Sequence, residues 1–450
     1  MENKNNIQQS IDEAIENSEK EETALNSGEH HHHHHHSHRH HHRRRSNSAK
    51  KKDKRLIKFF KRNKSVIINI VACLIAVVLL VLLAVNRDGE KPVIIPSDDT
   101  PIELTQTTFK IESTLYTEEV PLVHQAIFSY MDENNKDSAH DVFGTYQGYR
   151  NRLDNGVPLT YNYSVIGMPS NISTESAVLE ISENDSFSSP ISYVLDLGNG
   201  SIDIYNLKTG TQYYYKLLLT LSNGDVVSTG GEFVTADSPR FLNIEGAVNV
   251  RDFGGRLTES GKRIPLGLLF RGSELDGAVE SKYSITKEGQ SELVLNLGVR
   301  FDMDLRSETV NAVETNALGK GVVHRYYDAP QYDGIFEEVN TKSIRNVFAD
   351  LADEENYPIY MHCTYGRDRT GTMCYLLGAL LGMSKDDLYR DYELSAFVDS
   401  YVDDKAMAVF IARLELLEGD SMKEKVENYL TSIGVTEAEI QSIRNIFLGE

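Results

Sequence analysis

Cysteine is scarce in this chain, which has three cysteines among 450 residues. Extracellular domains that depend on disulfides carry a much denser set. Cys73 falls in an apolar run, whereas Cys363 and Cys374 lie 11 residues apart across a predicted loop and helix, where a disulfide needs special geometry. A disulfide framework is therefore excluded, and Cys374 is interpreted as a core residue.

Basic residues are few after Ser65. Up to Ser65 the chain holds 15 Lys and Arg against 9 Asp and Glu, whereas the remainder holds 31 against 58. An acidic body of this kind would repel the phosphates of nucleic acid, which excludes nucleic acid as a general partner. The contrast between a basic head and an acidic body predicts that the two parts meet different surroundings.

Long apolar runs are absent apart from "VIINIVACLIAVVLLVLLAV" at residues 66–85. A helix of about 20 apolar residues is long enough to cross the hydrocarbon core of a bilayer. Nine basic residues between Lys50 and Lys64 precede this run. The positive-inside rule then predicts an uncleaved, single-pass anchor in the cell membrane, with the N-terminus in the cytoplasm and the chain after residue 85 outside the cytoplasm.

The segments on either side of this run have simple compositions. Residues 1–65 are polar and include the tract "HHHHHHHSHRHHHRRR", which predicts a disordered cytoplasmic head; the alternative is that the tract binds metal or anionic lipid headgroups. Residues 86–107 are rich in Pro, Gly and Asp and are interpreted as a linker. Residues 108–155 give mixed signals and receive no fold assignment.

Residues 156–237 predict an all-β domain. Runs such as "LTYNYSVIG" and "QYYYKLLLTL" are typical of strands, and they are separated by Asn-Gly and Thr-Gly turns. The stretch "NLKTGTQYYYKL" resembles the tyrosine corner that closes one edge of a fibronectin type III-like sandwich. The resemblance implies a sandwich-like domain, and we expect it to act as a spacer.

The stretch "HCTYGRDRTG" follows the strand-like run "YPIYM" and precedes a helical run. A loop that opens a helix presents unpaired backbone N–H groups, which attract an anion. The same field favours the thiolate form of a cysteine such as Cys363. Arg369 at the far end of the loop offers a planar fork for two phosphate oxygens. The combination predicts a site that captures a phosphate for nucleophilic attack.

This stretch resembles the signature loop of cysteine-dependent phosphatases, and the full string is similar to that of the bacterial tyrosine phosphatase family with atypical, lipid-capable specificity. The resemblance covers about residues 240–450 and rests on five segments in the family's order. Besides the signature loop they are "NVRDFGG", "LFRGSEL", "DLRSETV" and the C-terminal helices that begin with "RDYELS".

The resemblance implies a role for each matching residue. Cys363 is the expected nucleophile, Arg369 the ligand of the phosphoryl group, and Thr370 a hydrogen-bond donor to the sulfur. His362 is expected to orient the loop, and Asp368 either shuttles a proton or is structural. The expected substrate contacts are Thr364, Tyr365, Gly366, Arg367 and Arg271. No metal and no cofactor are implied.

The chain departs from the family's pattern in two places. Arg367 stands where the family usually has Lys, and the two side chains differ in geometry. The chain also has no tryptophan, so the Trp-Pro-Asp loop that supplies the general acid in many tyrosine phosphatases is missing. The candidate acids are Asp328 and Asp333 in "HRYYDAPQYDGIF", with Asp333 slightly favoured.

The alternation of strand-like and helical runs after residue 240 predicts an α/β domain with a mainly parallel central sheet and the signature loop at the carboxyl end of a strand. We expect helices near residues 287–295 and 341–354. Pairs of Arg and Asp in the matching segments predict buried ion pairs that hold loops, and they involve Arg251, Asp252, Arg271, Asp304 and Arg306.

The predicted function is a membrane-anchored, extracytoplasmic phosphatase that hydrolyses phosphotyrosine through a phosphocysteine intermediate. Phosphoserine, phosphothreonine and phosphoinositide remain open as substrates, so the partner is a phosphorylated protein or phospholipid. Two alternatives remain. A rhodanese-like sulfurtransferase also has a cysteine in a strand-to-helix loop, and a catalytically silent module would use the same loop only to bind phosphate.

Overall fold

The computed structural model describes residues 109–114, 119–131, 149, 156–307, 316–398 and 402–450. The predicted head, the predicted membrane anchor, the linker and most of residues 108–155 lie outside the described residues. Within the described ranges, no helix is both long enough and apolar enough to cross a membrane.

The upstream part of the described chain is built from two antiparallel sheets, here called the β module. Its strands are β1 (Lys110–Thr114), β2 (Leu159–Ile166), β3 (Thr174–Ser182), β4 (Ile191–Val194), β5 (Ser201–Ile204), β6 (Gln212–Leu221) and β7 (Val226–Val234). The strand order is β1-β2-β5 in one sheet and β4-β3-β6-β7 in the other. Strand β1 comes from residues that the sequence left unassigned.

Strand β6 shows how the β module buries its core. Alternate residues, including Tyr213 and Leu217, face inward and are buried, as the period of two in a strand requires. The hydroxyl of Tyr213 accepts a hydrogen bond of 2.9 Å from the backbone N–H of Lys208. This is the contact expected of a tyrosine corner.

The second part, residues 240–450, is an α/β domain around one five-stranded sheet. Its strands are β8 (Arg251–Asp252), β9 (Leu269–Gly272), β10 (Phe301–Asp304), β11 (Val323–Tyr326) and β12 (Ile359–His362). The order is β11-β10-β12-β9-β8, with every pair parallel except β8 with β9. The prediction of a mainly parallel sheet is confirmed.

Helices cover this sheet. The first helix of the described chain, α1 (Gln125–Met131), lies between β1 and β2 of the β module in sequence yet packs in the core of the α/β domain. Helix α2 (Lys287–Ser291) lies where a helix was predicted at 287–295, and it continues as a π-helix at Glu292–Asn296. Helix α3 (Thr341–Leu351) is shorter than the helix predicted at 341–354. The other α-helices of the described α/β domain are α4 (Asp368–Leu381), α5 (Lys385–Glu393), α6 (Ser395–Val398), α7 (Asp404–Glu415), α8 (Met422–Ser432) and α9 (Glu437–Leu448).

Candidate active site

The signature loop joins the central strand β12 to helix α4. Strand β12 lies between β10 and β9, so the loop leaves the sheet at the carboxyl edge where ligands bind in α/β folds. Gly366 has φ +66°, and a Cβ at this position would lie 2.2 Å from the carbonyl oxygen of Gly272. Only glycine fits this conformation and this close approach, which explains the residue at the middle of the loop.

The two ends of the loop carry the groups expected to act on phosphate. Cys363 is buried, with 4% of its surface exposed. Arg369 lies in the first turn of α4 and is partly exposed, and within the described ranges its guanidinium makes no hydrogen bond or ion pair. The unpaired N–H groups of the first turn of α4 add a partial positive charge at the same place. The site therefore combines a thiol, an available guanidinium and a helix N-terminus.

The second cysteine has a different environment. Burial raises the pKa of Cys374 to about 11, so this thiol stays protonated at neutral pH. It lies inside α4, which is buried along nearly its whole length. Cys374 is an inert core residue, in agreement with its interpretation from the sequence.

His362 connects the loop to the strand below it. One ring nitrogen, Nδ1, lies 3.2 Å from the carbonyl oxygen of Cys363, and the other, Nε2, lies 2.9 Å from Asp302. Burial opposes the charge on this ring, but Asp304 and Asp302 outweigh it and raise the pKa of His362 to about 9. A charged imidazole has no free lone pair, so the ring, held between these carboxylates and the loop, fits the expected orienting role and not that of a base.

A buried polar network lies directly beneath the loop. Arg271 is fully buried; it donates 2.8 Å to the carbonyl of Gly366 and pairs with Asp391. Arg251 donates to the same carboxylate over 3.2 Å, and Asn249 donates to the carbonyl of Tyr365 over 3.1 Å. Both arginines hold the pKa of Asp391 at about 2 against the effect of its burial.

The contacts that Arg271 makes in this network differ from the predicted contact with substrate. Its guanidinium is committed to Asp391 and to the back of the loop, and none of its surface is exposed. Its role is the structural one also expected for Arg251. Asp391 lies in the segment "RDYELS", which the sequence assigned to a helix without giving the carboxylate a partner.

A second set of buried ion pairs supports the neighbouring loop. Arg306 pairs with Asp304 over 2.6 Å and with Asp276 over 2.8 Å, and it also pairs with Glu274. Burial raises the pKa of Asp304, but His362 and Arg306 outweigh that effect and hold it well below its usual range. Arg240 and Asp252 form a further buried pair over 3.1 Å. The predicted loop-holding role of these arginines and aspartates agrees with these contacts.

The middle of the loop is tied to its surroundings. Arg367 donates to the carboxylate of Asp368 over 3.0 Å, and its guanidinium lies 5.1 Å from the ring centre of Tyr365. The hydroxyl of Tyr365 donates 2.8 Å to Glu280, and the carbonyl of Thr364 accepts from a backbone N–H over 3.1 Å. Two of the side chains expected to touch substrate, Tyr365 and Arg367, thus already make contacts within the protein.

The candidate general acids lie on the segment that follows β11. Asp328 is exposed, with φ +48°, and Asp333 pairs with Arg413 over 3.2 Å. The residue of this segment that reaches the signature loop is Tyr332, whose hydroxyl donates to Asp368 and whose backbone N–H donates 2.8 Å to Thr372. Sequence reasoning missed Tyr332, although it stands between the two predicted acids.

Tyr332 also belongs to a chain of hydroxyl groups. Its oxygen lies 2.7 Å from the hydroxyl of Tyr392, which accepts 2.8 Å from the backbone N–H of Asp403. Burial, followed by the nearby carboxylate of Asp368, raises the pKa of Tyr332 far above its usual range. The Tyr332 hydroxyl therefore stays protonated and acts as a donor to Asp368.

Thr370 differs from its predicted contact. Its side chain is fully buried, and in the described parts of the chain its hydroxyl has no hydrogen-bond partner. The expected hydrogen bond to the sulfur of Cys363 is not formed here.

The described ranges contain no group of three or more His, Cys, Asp or Glu placed to hold a metal ion.

Comparisons with known proteins agree with the chemistry of the loop. Residues 242–449 match the model of the tyrosine phosphatase family. A tyrosine-protein phosphatase of Nostoc commune is 27% identical over an alignment of 124 residues, which covers 22% of this chain and 42% of that protein. The chain therefore spans less than half the length of this curated relative.

Solved structures give a weaker likeness. The core catalytic domain of the PP-IP phosphatase SIW14 from S. cerevisiae, in complex with citrate, has a TM-score of 0.24 and 17% identity, covering 37% of this chain and 91% of that chain. A second structure of the Siw14 catalytic core has the same score and identity and covers 37% and 90%. The segment that is similar to the tyrosine phosphatase family, residues 242–449, contains the signature loop and all five strands of the sheet.

Proposed function

We propose that this protein hydrolyses phosphate monoesters, with phosphotyrosine in proteins as its main substrate, through a phosphocysteine intermediate. The observation that carries the proposal is the pairing of Cys363 with the available guanidinium of Arg369 at the two ends of a loop that opens helix α4. The tyrosine phosphatase family match over the same residues supports it.

The reaction has two displacement steps. In the first, the Cys363 thiolate attacks phosphorus, an S–P bond forms, the bond from phosphorus to the tyrosine oxygen breaks, and that oxygen takes a proton from a general acid. In the second, water attacks phosphorus and gives a proton to the carboxylate that the general acid left behind, the S–P bond breaks, and phosphate leaves with the thiolate and the acid restored. Arg369 and the loop N–H groups stabilise the negative charge on the phosphoryl oxygens in both transition states.

The surroundings of the loop favour a substrate with one phosphate over one with several. Arg367 is the basic residue in the loop that an additional phosphate would meet, and its guanidinium already donates to Asp368. The side chains of the loop present little uncommitted positive charge beyond Arg369. Phosphoinositides with several phosphates therefore rank below phosphotyrosine as proposed substrates, and phosphoserine and phosphothreonine are distinguished by the rates below.

The proposed location is outside the cytoplasm. The run at residues 66–85 and the basic cluster before it support a single membrane anchor with the catalytic domain on the far side. The β module, whose Tyr213–Lys208 contact is the one expected in fibronectin type III-like domains, then acts as a spacer. Protease added to intact cells should degrade the catalytic domain, and protection of that domain would reverse the orientation.

The proposed activity is tested by initial rates of the purified protein on phosphotyrosine peptides, phosphoserine peptides and phosphoinositides. Cys363→Ser should abolish turnover while the far-ultraviolet circular dichroism spectrum is unchanged. Cys374→Ser is the matched control, because this second cysteine is an inert core residue, and it should keep its turnover. Residual turnover in Cys363→Ser well above background contradicts the proposal, and transfer of sulfur to cyanide by the wild type would favour the sulfurtransferase.

A further inference from the structure

Helix α1 belongs to the core of the catalytic domain, although in sequence it lies between β1 and β2 of the β module and outside the residues that match the tyrosine phosphatase family. Its inward face is buried among core residues of that domain, such as Phe253 and Phe397. The buried residues of this segment are Val123, Ala126, Ile127 and Tyr130. The folded catalytic unit is therefore larger than the matched segment.

Tyr130 makes the polar contacts between this helix and α5. It is 1% exposed, and its hydroxyl donates to the carboxylate of Glu393. Its backbone carbonyl accepts from Arg390, whose guanidinium lies 5.1 Å from the centre of the tyrosine ring. Phe397 packs edge-on against the same ring, with 5.5 Å between the ring centres. All these partners lie on α5 and α6.

The last turn of α5 connects this contact to the signature loop. Arg390 and Glu393 face Tyr130, and Asp391 between them faces the opposite way, where it pairs with Arg251 and Arg271. Residues that follow one another in a helix point in different directions, so one turn can contact two separate groups. This turn is held by α1 on one side and holds the buried arginines on the other.

Arg271 completes the connection because it donates 2.8 Å to the carbonyl of Gly366 in the loop. A carbonyl turned towards a bound phosphate would repel it, whereas backbone N–H groups attract it. By holding this carbonyl at the back of the loop, Arg271 leaves the front of the loop to the N–H groups. The orientation of the peptide at Gly366 thus depends on where Asp391 places Arg271.

We propose that Tyr130 is a positioning residue for the signature loop, acting through the last turn of α5, Asp391 and Arg271. The inference rests on the proposed phosphatase function. It assigns to a segment between the first two strands of the β module a part in setting the geometry of the phosphate site. The upstream helix is then a functional component of the enzyme and not a connector.

The test is Tyr130→Phe in the full chain, which deletes the hydroxyl and keeps the ring. We expect kcat on an aryl phosphate to fall about 10-fold, equivalent to about 1.4 kcal/mol, with KM within about twofold, because misplaced loop groups matter most in the transition state. The affinity for orthovanadate, which takes the five-coordinate geometry of that state, should fall by a similar factor. Vanadate binding needs no turnover, so it reports on loop geometry even if the proposed substrate is wrong.

The matched control is Tyr213→Phe, which deletes a hydroxyl from a buried tyrosine of the β module. It should lower Tm and leave kcat and vanadate affinity unchanged. If Tyr130→Phe behaves in the same way, the inference is wrong and α1 is only structural. If Tyr130→Phe fails to fold, Glu393→Gln takes its place, because it keeps the packing and weakens the same contact. Unchanged kcat and vanadate affinity in that variant would equally overturn the inference.

Discussion

Asp391 holds two buried arginines, and its loss has an effect that can be worked out from the structure. Its pKa is lowered from 3.8 to about 2 by Arg271 and Arg251, which outweigh the opposing effect of burial. A depressed carboxyl pKa contributes stability that is present above the unfolded value and lost as the pH falls through the folded value. At about 1.4 kcal/mol per pKa unit, the ion pairs contribute about 2–3 kcal/mol at neutral pH.

Asp391→Asn removes this contribution and leaves two buried guanidinium groups with one weaker acceptor. Removing one partner of a buried pair typically costs about 3–5 kcal/mol. We therefore expect the free energy of unfolding in urea at pH 7 to fall by about 3 kcal/mol. Below pH 4 the variant should also lose less stability than the wild type, because the carboxyl that titrates there has gone.

The same variant should lower kcat, because Arg271 then holds the carbonyl of Gly366 less firmly. Asp237→Asn is a control of the same chemistry, since its ion pair with Arg263 joins two side chains that are about half exposed. A surface pair of this kind contributes about 0–1 kcal/mol. If Asp391→Asn costs less than 1 kcal/mol and leaves kcat unchanged, the account of the network beneath the loop is wrong.

Three further predictions concern the loop and the proton donor. Gly366→Ala should abolish turnover on an aryl phosphate, because its Cβ would lie 2.2 Å from the carbonyl of Gly272 at a φ of +66°; near-normal rates would refute the loop geometry. Of Asp333→Asn and Asp328→Asn, one should slow phosphotyrosine about 10²–10⁴-fold but a nitro-substituted aryl phosphate far less; if only Asp368→Asn does so, the proton comes from within the loop. The pKa of His362 is raised to about 9, so its charge stabilises the folded state by about 3 kcal/mol, fully below about pH 6.5. This contribution should be lost as the pH rises through 9. The free energy of unfolding of His362→Gln in urea should not show that decline.

Local sequence patterns were sufficient to predict the architecture of the catalytic domain. The β-run before Cys363, the glycines of the loop and the apolar helix after it are contiguous, so the strand, loop and helix follow from neighbouring residues. The alternation of strands and helices from residue 240 onward likewise predicts a parallel sheet. The α/β fold and the position of the loop at the edge of the sheet could therefore be predicted from the sequence.

Contacts between residues that are far apart in the chain could not be predicted from the sequence. Arg251 and Asp391 are 140 positions apart in the chain, and nothing in either local pattern indicates that they pair. An arginine in a phosphatase motif is chemically suited to phosphate, which is why Arg271 was predicted to touch substrate. Only its burial against Asp391 shows that it supports the loop from behind.

The packing of α1 against α5 could not be predicted from local sequence patterns either. Helix α1 has only seven residues, and the mixed pattern around it gave no assignment. Its partners on α5 lie about 260 residues further along the chain, as the contact of Tyr130 with Glu393 shows. Tyr332 was missed for a related reason, because a tyrosine in a loop gives no signal until the carboxylate it contacts is known.

The central claim is that Cys363 is the nucleophile, and trapping the intermediate tests it most directly. The protein is mixed with a nitro-substituted aryl phosphate, quenched in acid within milliseconds, digested, and analysed by mass spectrometry. The account predicts one phosphoryl group on the peptide that contains Cys363, with none in Cys363→Ser. A wild-type protein that turns over this substrate without any phosphorylated Cys363 peptide, or a phosphoryl group on another residue, would contradict it.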